Sequence, residues 1–145
     1  MFQKILLAWD GSRAALRALD LAVDIARRYG AELCAVGVAH SPAHAETESD
    51  RRDSANAARR YLEETLAQVR DRADRVGVSL ELVVVEGDHP PEDILRYARE
   101  HGFDLVVSGH HRGRRVGRAL LHGVAERLVD EASVPVLVVG DRDDD

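Results

Sequence analysis

Short apolar runs alternate along the chain with segments whose apolar residues recur at helical spacing. Five runs predict strands, and they cover residues 5–9, 32–39, 80–85, 104–108 and 135–139. Because these runs are almost continuously apolar, we expect helices to cover both of their faces. Such alternation predicts an α/β fold in which right-handed crossovers join parallel strands into a doubly wound, Rossmann-like sheet.

Helical periodicity marks four segments between these runs. The predicted helices lie within residues 16–26, 62–76, 91–98 and 120–129. Ser12 is the expected N-cap of the first helix, which ends at Gly30, and the second ends at Gly77. Pro91 falls near the first position of the third, where its missing N–H costs nothing. The polar stretch 40–52 has no apolar period and predicts a loop.

The predicted strand order, 3-2-1-4-5, places a possible ligand site. Ligands of doubly wound sheets bind beyond the carboxyl ends of the strands, where the strand order reverses. That point lies between strands one and four, so Asp10 and Gly109 are expected to face each other there. We expect residues 1–140 to form one domain, followed by an acidic tail at 141–145.

Composition and charge narrow the function. A net charge of −6 argues against general nucleic-acid binding, which needs an excess of Lys and Arg. No apolar run approaches the roughly 20 residues that span a bilayer, so no membrane partner is expected. Cys34 is the only cysteine, and no Cys/His ligand spacing occurs. We therefore expect a cytoplasmic protein without a metal site.

Residues 106–125 carry the most informative chemistry, because a buried-strand pattern opens into a glycine- and arginine-rich loop followed by an apolar helix. Backbone N–H groups and the helix dipole can hold phosphate at such a junction. The chain has no Gly-x4-Gly-Lys-Ser/Thr loop, no Gly-x-Ser-x-Gly elbow and no evident nucleophile–base pair. No catalytic residue is predicted, and we expect a non-enzyme in which any ATP hydrolysis is weak.

Four motifs occur in a fixed order: Ala-Trp-Asp10-Gly-Ser, Gly87-x-x-Pro, Asp-Leu-Val-Val-Ser-Gly109, and Leu-Leu-x-x-Val124-Ala-Glu-Arg-Leu-Val before the last strand. Together they resemble the universal stress protein family over nearly the whole chain. The resemblance implies a small cytoplasmic stress-response protein, usually dimeric, in a family some of whose members bind ATP. We expect a homodimer that pairs the apolar edge strand between Val134 and Val139.

The resemblance also implies a nucleotide site. Asp10 matches the position that contacts the ribose, and Val38 matches the backbone position beside the adenine. A simpler role for Asp10 is to end the first strand and prepare the Ser12 cap. The residues expected at ATP or another adenine nucleotide are Ala8, Trp9, Asp10, Val38, Ser108, Gly109, Arg112, Gly113, His122, Gly123, Val124 and Ala125.

The phosphate motif departs from that of ATP-binding members, Gly-x2-Gly-x9-Gly-Ser/Thr. In the ungapped register from Gly109, Arg112 and His122 replace the second and third glycines, and Gly123 takes the Ser/Thr position. A shifted register would use Gly113 and Gly123 instead. A Cβ hinders close backbone approach to phosphate, so affinity is expected to be weakened. The arginines from Arg112 to Arg118 could bind phosphate through their side chains, contact a protein, or form a solvated loop.

Three classes of function follow. The first is a regulatory module that binds a nucleotide, favoured by Asp10, Val38 and Gly109. The second is a dimeric stress-response protein that has lost nucleotide binding and acts through protein partners, favoured by Arg112 and His122. The third is an enzyme of a related doubly wound fold, which the missing catalytic motifs disfavour.

Overall fold

The structure is a computed structural model that describes residues 1–39, 47–110 and 123–140. In these ranges the strands are β1 (Lys4–Ala8), β2 (Glu32–Ala39), β3 (Leu80–Glu86), β4 (Leu105–His110) and β5 (Val136–Gly140). The helices are α1 (Arg13–Tyr29), α2 (Glu48–Ala67), α3 (Asp71–Asp74), α4 (Pro90–Glu100) and α5 (Val124–Glu131).

All five strands are parallel and form one sheet in the order β3-β2-β1-β4-β5. The predicted doubly wound sheet and its strand order are therefore confirmed. β1 is central, with Ile5 paired to Leu33 of β2 on one side and to Leu105 of β4 on the other. The carboxyl ends of β1 and β4 consequently lie side by side where the order reverses.

Two apolar cores flank the sheet, because side chains alternate between the faces of a strand. Ile5 and Leu7 belong to the core that α1 and α2 cover, whereas Leu6 belongs to the core under α4 and α5. All three are fully buried. Burying such a side chain contributes about 1.5–3 kcal/mol, so β1 anchors both helical layers.

The first helix has the predicted ends. The Ser12 Oγ accepts a hydrogen bond from the Ala15 N–H at 3.1 Å, which caps the amino end of α1. Gly30 ends the helix in the left-handed conformation with φ 65°, a conformation that glycine adopts without a Cβ penalty.

The second helix begins earlier than its apolar pattern predicts. α2 starts at Glu48, within the stretch 40–52 predicted as a loop, so that prediction is wrong from residue 48 onward. The Thr47 hydroxyl accepts a hydrogen bond from the Asp50 N–H at 3.0 Å, and Glu48 and Asp50 complement the helix dipole. The N-cap and these charges start a helix whose first turns bury almost nothing. Residues 40–46 lie outside the described residues.

The single long helix predicted up to Val76 is also wrong. α2 ends at Ala67, and α3 begins only at Asp71. Between them the chain tightens into turns with hydrogen bonds from residue i+3 to i, such as the Val69 N–H to the Leu66 carbonyl and the Arg72 N–H to the Val69 carbonyl. The apolar residues keep a helical spacing through these turns, which explains the prediction.

The remaining boundaries shift by a residue or two. β4 continues to His110, past the predicted end at Ser108, and α4 begins at Pro90 rather than at Pro91. β1 ends at Ala8, although the Trp9 N–H still donates to the Val36 carbonyl at 2.9 Å. Residues 120–122 of the predicted fourth helix and the predicted tail at 141–145 lie outside the described residues.

Candidate functional site

A cleft opens at the carboxyl ends of the central strands, between α1, α2, α4 and α5. Its lining residues are Ala8, Trp9, Asp10, Ser12, Ala14, Ala15, Val36, Val38, Leu62, Pro90, Ile94, Ser108, Gly109 and Val124. The cleft encloses about 110 Å³. Pockets that surround a whole ligand measure about 300–1,000 Å³, so this cleft would hold one part of a ligand and leave the rest at its rim.

Asp10 stands at the turn between β1 and α1 and has a structural task there. Its Oδ1 accepts a hydrogen bond from the Ser12 N–H at 2.9 Å, and the Ser12 Oγ in turn caps α1. Gly11 lies between them with φ 80°, which glycine tolerates best. Asp10 therefore prepares the cap, as its simpler role predicts, while it lines the cleft beside Ala8.

Trp9 connects the cleft to α2. Its side chain is 4% exposed and belongs to the core on the α1 and α2 face of the sheet. The indole Nε1–H donates a hydrogen bond to the Thr65 Oγ1 of α2 at 3.1 Å. Trp9 thus lines the cleft, and its hydrogen bond to Thr65 joins this part of the cleft to α2.

Gly109, at the end of β4, packs against the start of α1. A Cβ at this position would lie 2.5 Å from the carbonyl carbon of Ala14 and 2.9 Å from the Ala14 Cβ. Contact with the α1 backbone is therefore enough to require glycine here, without any phosphate. The neighbouring Ser108 is 3% exposed, and its hydroxyl donates to the Gly109 carbonyl at 3.0 Å.

Among the described residues, the amino end of α5 forms the rest of the cleft wall. Gly123 is its N-cap, with φ −96° and no side-chain cap, and Val124 lines the cleft. Ala125 is 3% exposed and does not line the cleft. Arg112, Gly113 and His122, also predicted at the nucleotide, lie outside the described residues. The structure thus brings Ala8, Trp9, Asp10, Val38, Ser108, Gly109 and Val124 together.

Several lining residues were not predicted from the sequence. Leu62 is the clearest case, because its helical spacing marks it only as a core residue, yet it lines the cleft next to Gly37 of β2. Thr65 carries a signal that sequence reasoning could have used, since it is a polar residue within the apolar stripe of Leu62, Leu66 and Val69. Pro90 and Ile94 line the cleft from the first two turns of α4.

Two side-chain contacts join α5 to neighbouring elements beside the cleft. His110 at the end of β4 lies 2.7 Å from the Glu126 carboxylate, measured from Nε2 to Oε2. Arg127 donates to the Glu92 carboxylate of α4 at 3.0 Å. In residues 1–39, 47–110 and 123–140, no three His, Cys, Asp or Glu side chains form a group that could hold a metal ion.

The cysteine lies at the other end of the sheet. Burial, followed by the nearby Glu81 carboxylate, raises the pKa of the Cys34 thiol to about 11. At neutral pH this thiol stays protonated and is a poor nucleophile. The hydroxyls of Ser12 and Ser108, which line the cleft, both hydrogen-bond to the backbone. No helix of the described part is both long and apolar enough to cross a membrane.

Comparison with known proteins finds relatives across nearly the whole chain. Residues 1–140 match the universal stress protein family. Universal stress protein MJ0531 of Methanocaldococcus jannaschii is 32% identical over 141 residues, which cover 96% of this chain and 82% of the relative. A universal stress protein family structure from Burkholderia pseudomallei has a TM-score of 0.76 at 32% identity and covers 95% of this chain and 96% of that chain. A universal stress protein solved in complex with cAMP has a TM-score of 0.68 at 26% identity, with 95% and 97% coverage.

Proposed function

Because this chain belongs to the universal stress protein family, we propose that it is a non-enzymatic stress-response module that binds ATP or another adenine nucleotide with weakened affinity. The cleft at the carboxyl ends of β1 and β4 is the proposed site. The cytoplasm is the proposed compartment, since the chain has a single cysteine and Cys34 is unpaired.

One observation carries this proposal: a largely apolar cleft meets a carboxylate where the strand order reverses. Ala8, Val36 and Val38 present apolar surface, and Asp10 stands at the rim. An apolar slot suits a planar base, and a carboxylate accepts hydrogen bonds from the hydroxyls of a sugar. The base would enter beside Val38, and the ribose would lie near Asp10. The relative solved in complex with cAMP supports this ligand class.

The phosphate end of the ligand would lie toward α5. Gly123 and Val124 begin that helix at the edge of the cleft, and backbone N–H groups at a helix start attract phosphate. We propose that Arg112 and its neighbouring arginines replace backbone contacts that the glycines of the family motif would have made. Guanidinium groups bind phosphate bidentately, but holding long side chains in place costs entropy, so the affinity is lower.

The deciding experiment is calorimetric titration of the nucleotide-stripped protein with ATP, ADP and AMP. We expect Asp10→Ala to weaken all three nucleotides about tenfold or more, because a hydrogen bond to a charged group is lost. The matched control Asp53→Ala, at an exposed residue of α2, should bind as the wild type does. No heat and no thermal shift at millimolar nucleotide would overturn the proposal.

A second titration tests the phosphate end. Arg112→Ala should weaken ATP more than AMP, since ATP places more negative charge beside the arginines. Arg51→Ala, on the exposed start of α2, is the matched control. Equal losses for the two nucleotides would contradict a role for Arg112 at the phosphates.

A second function, a stress-response protein that has lost nucleotide binding and acts through protein partners, also has support. Gly109 is required by its contact with Ala14, and Asp10 serves the Ser12 turn, so the fold itself needs both residues. Their presence in the sequence therefore does not by itself depend on a nucleotide. This function predicts no binding of ATP, ADP or AMP in the titrations above.

In either case we propose a homodimer that pairs β5 of two copies. β5 forms an edge of the sheet, and its residues from Val136 to Val139 are only partly buried although all are apolar. An apolar edge strand invites pairing with another strand. Light scattering at micromolar concentration should give the mass of a dimer, and a monomer would contradict this assembly.

A further inference from the structure

We propose that Thr65 of α2 is a positioning residue for the nucleotide, acting through Trp9 on the turn that carries Asp10. This inference rests on the proposed nucleotide site and extends it to a helix that the sequence predicts only as core. Three residues of α2, namely Tyr61, Leu62 and Thr65, form what we call the α2 wall.

The Thr65 hydroxyl has a fixed direction. It donates a hydrogen bond to the Leu62 carbonyl one turn earlier at 3.1 Å, so its hydrogen is committed within the helix. Its oxygen then accepts the hydrogen bond from the Trp9 Nε1–H at 3.1 Å. A valine at this position would have a similar shape but no acceptor, and it would leave the buried indole N–H unpaired. A serine would keep both bonds.

The other two residues of the α2 wall contact the same region. A Cβ at Gly11 would lie 2.9 Å from the Tyr61 Oη and 3.2 Å from the Thr65 Oγ1, so both side chains rest directly against the turn. Leu62 lines the cleft and packs against Gly37 of β2. The turn 9–11 is therefore held from the α2 side at both of its ends, and Asp10 lies between those ends.

The consequence is that the α2 wall sets where the Asp10 carboxylate stands relative to Val38 across the cleft. A hydrogen bond to a ribose hydroxyl is lost when its acceptor moves by about an ångström, because hydrogen bonds weaken steeply with distance and angle. Loss of the bond between Trp9 and Thr65 should thus weaken the nucleoside part of the ligand. The loss of affinity should be the same for ligands with one, two or three phosphates.

The experiment compares Thr65→Val with Thr65→Ser and with Thr47→Val, the same change at the N-cap of α2. Each protein is titrated with adenosine, AMP and ATP. We expect Thr65→Val to raise the Kd of all three ligands about tenfold, whereas Thr65→Ser and Thr47→Val stay within about twofold of the wild type. Trp9 is the only tryptophan in the chain, so its emission reports the hydrogen bond directly. Only Thr65→Val should shift that emission before ligand is added.

A double variant tests the route through Asp10. If Thr65 acts by placing the carboxylate, adding Thr65→Val to Asp10→Ala should change the Kd less than twofold, because the contact is already gone. A full additional tenfold loss contradicts that route.

Tyr61→Ala changes a residue that is 53% exposed and provides a second variant should Thr65→Val fail to fold. It should raise the Kd of adenosine two- to threefold, and an unchanged Kd counts against the α2 wall.

The outcomes separate the two proposals. If the wild type binds none of the ligands, the proposed nucleotide site fails, and the role of Thr65 fails with it. If the wild type binds and Thr65→Val binds equally well, the positioning role alone is overturned. Equal losses in Thr65→Val and Thr47→Val also overturn it, since they indicate general weakening of α2.

Discussion

α1 and α2 cover the same face of the sheet, yet they bury very different shares of their surfaces. α1 buries a continuous stripe, which consists of Ala14, Ala15, Ala18, Leu19, Ala22, Val23 and Ala26. α2 is longer, but in 20 residues it buries only Ala55, Leu62 and Leu66. Small alanines let α1 approach the strands closely, whereas α2 touches the sheet mainly through its last turns.

The difference separates a helix that is held by packing along its whole length from one that packs mainly through its last turns. Helix stability in proteins comes mainly from packing an apolar face, so α1 should unfold only with the whole domain. The first turns of α2 have little packing to lose and should open locally at low cost. Its last turns carry the α2 wall, so the part of α2 that contacts the cleft adjoins a part with little buried surface.

The largest effect should follow truncation of the α1 stripe. Leu19 is fully buried, so Leu19→Ala should lower the free energy of unfolding by about 3 kcal/mol, through lost transfer energy and the cavity it leaves. Leu21 on the same helix is 37% exposed, and Leu21→Ala should cost less than about 1 kcal/mol. Urea unfolding followed by circular dichroism measures both. Similar costs for the two variants would mean that the stripe is not the anchor.

The next largest loss of stability is expected from a variant that tests how closely α1 approaches the sheet. A Cβ at Gly109 would contact the Ala14 backbone, so Gly109→Ala should cost about 2 kcal/mol as the helix is pushed away. A Cβ added at Gly140 in β5 would meet no atom of the described residues within 4 Å, which makes Gly140→Ala the matched control. The comparison is by thermal unfolding without nucleotide. A neutral Gly109→Ala would show that the Ala14 contact does not require glycine there.

The contrast between α1 and α2 also explains how far the sequence could predict this molecule. The apolar runs and the α1 stripe are strong periodic signals, and they predicted the strands of a parallel, doubly wound sheet, whose switch point Asp10 and Gly109 flank. The start of α2 has no apolar period. Its helix depends instead on the Thr47 cap and on the acidic residues of its first turn, and hydrophobic periodicity detects neither of these. Thr65 stands out locally as a polar residue in an apolar stripe, but its partner, Trp9, is 56 residues away, so no local pattern predicts their hydrogen bond.

A smaller change in stability is expected when either of the two helix N-caps is removed. Ser12→Ala removes the cap of a helix that unfolds with the domain, so it should cost about 1 kcal/mol of global stability. Thr47→Ala removes an equivalent hydrogen bond from the start of α2, where the helix opens locally, and should cost less than about half of that. Hydrogen exchange should show faster exchange at residues 50–55 in Thr47→Ala, with α1 unaffected. Equal global costs would indicate that α2 folds as firmly as α1.

The smallest change in stability is expected at the ion pair between α1 and α3. Arg72 of α3 lies 2.8 Å from the Asp20 carboxylate of α1, but the two side chains are 42% and 54% exposed. Water and salt screen such a pair, so Asp20→Asn should cost less than about 1 kcal/mol, and the cost should shrink further at high ionic strength. Urea unfolding at low and at high salt measures it. A cost that is large and insensitive to salt would mean that this pair, rather than the apolar stripe, ties α3 to α1.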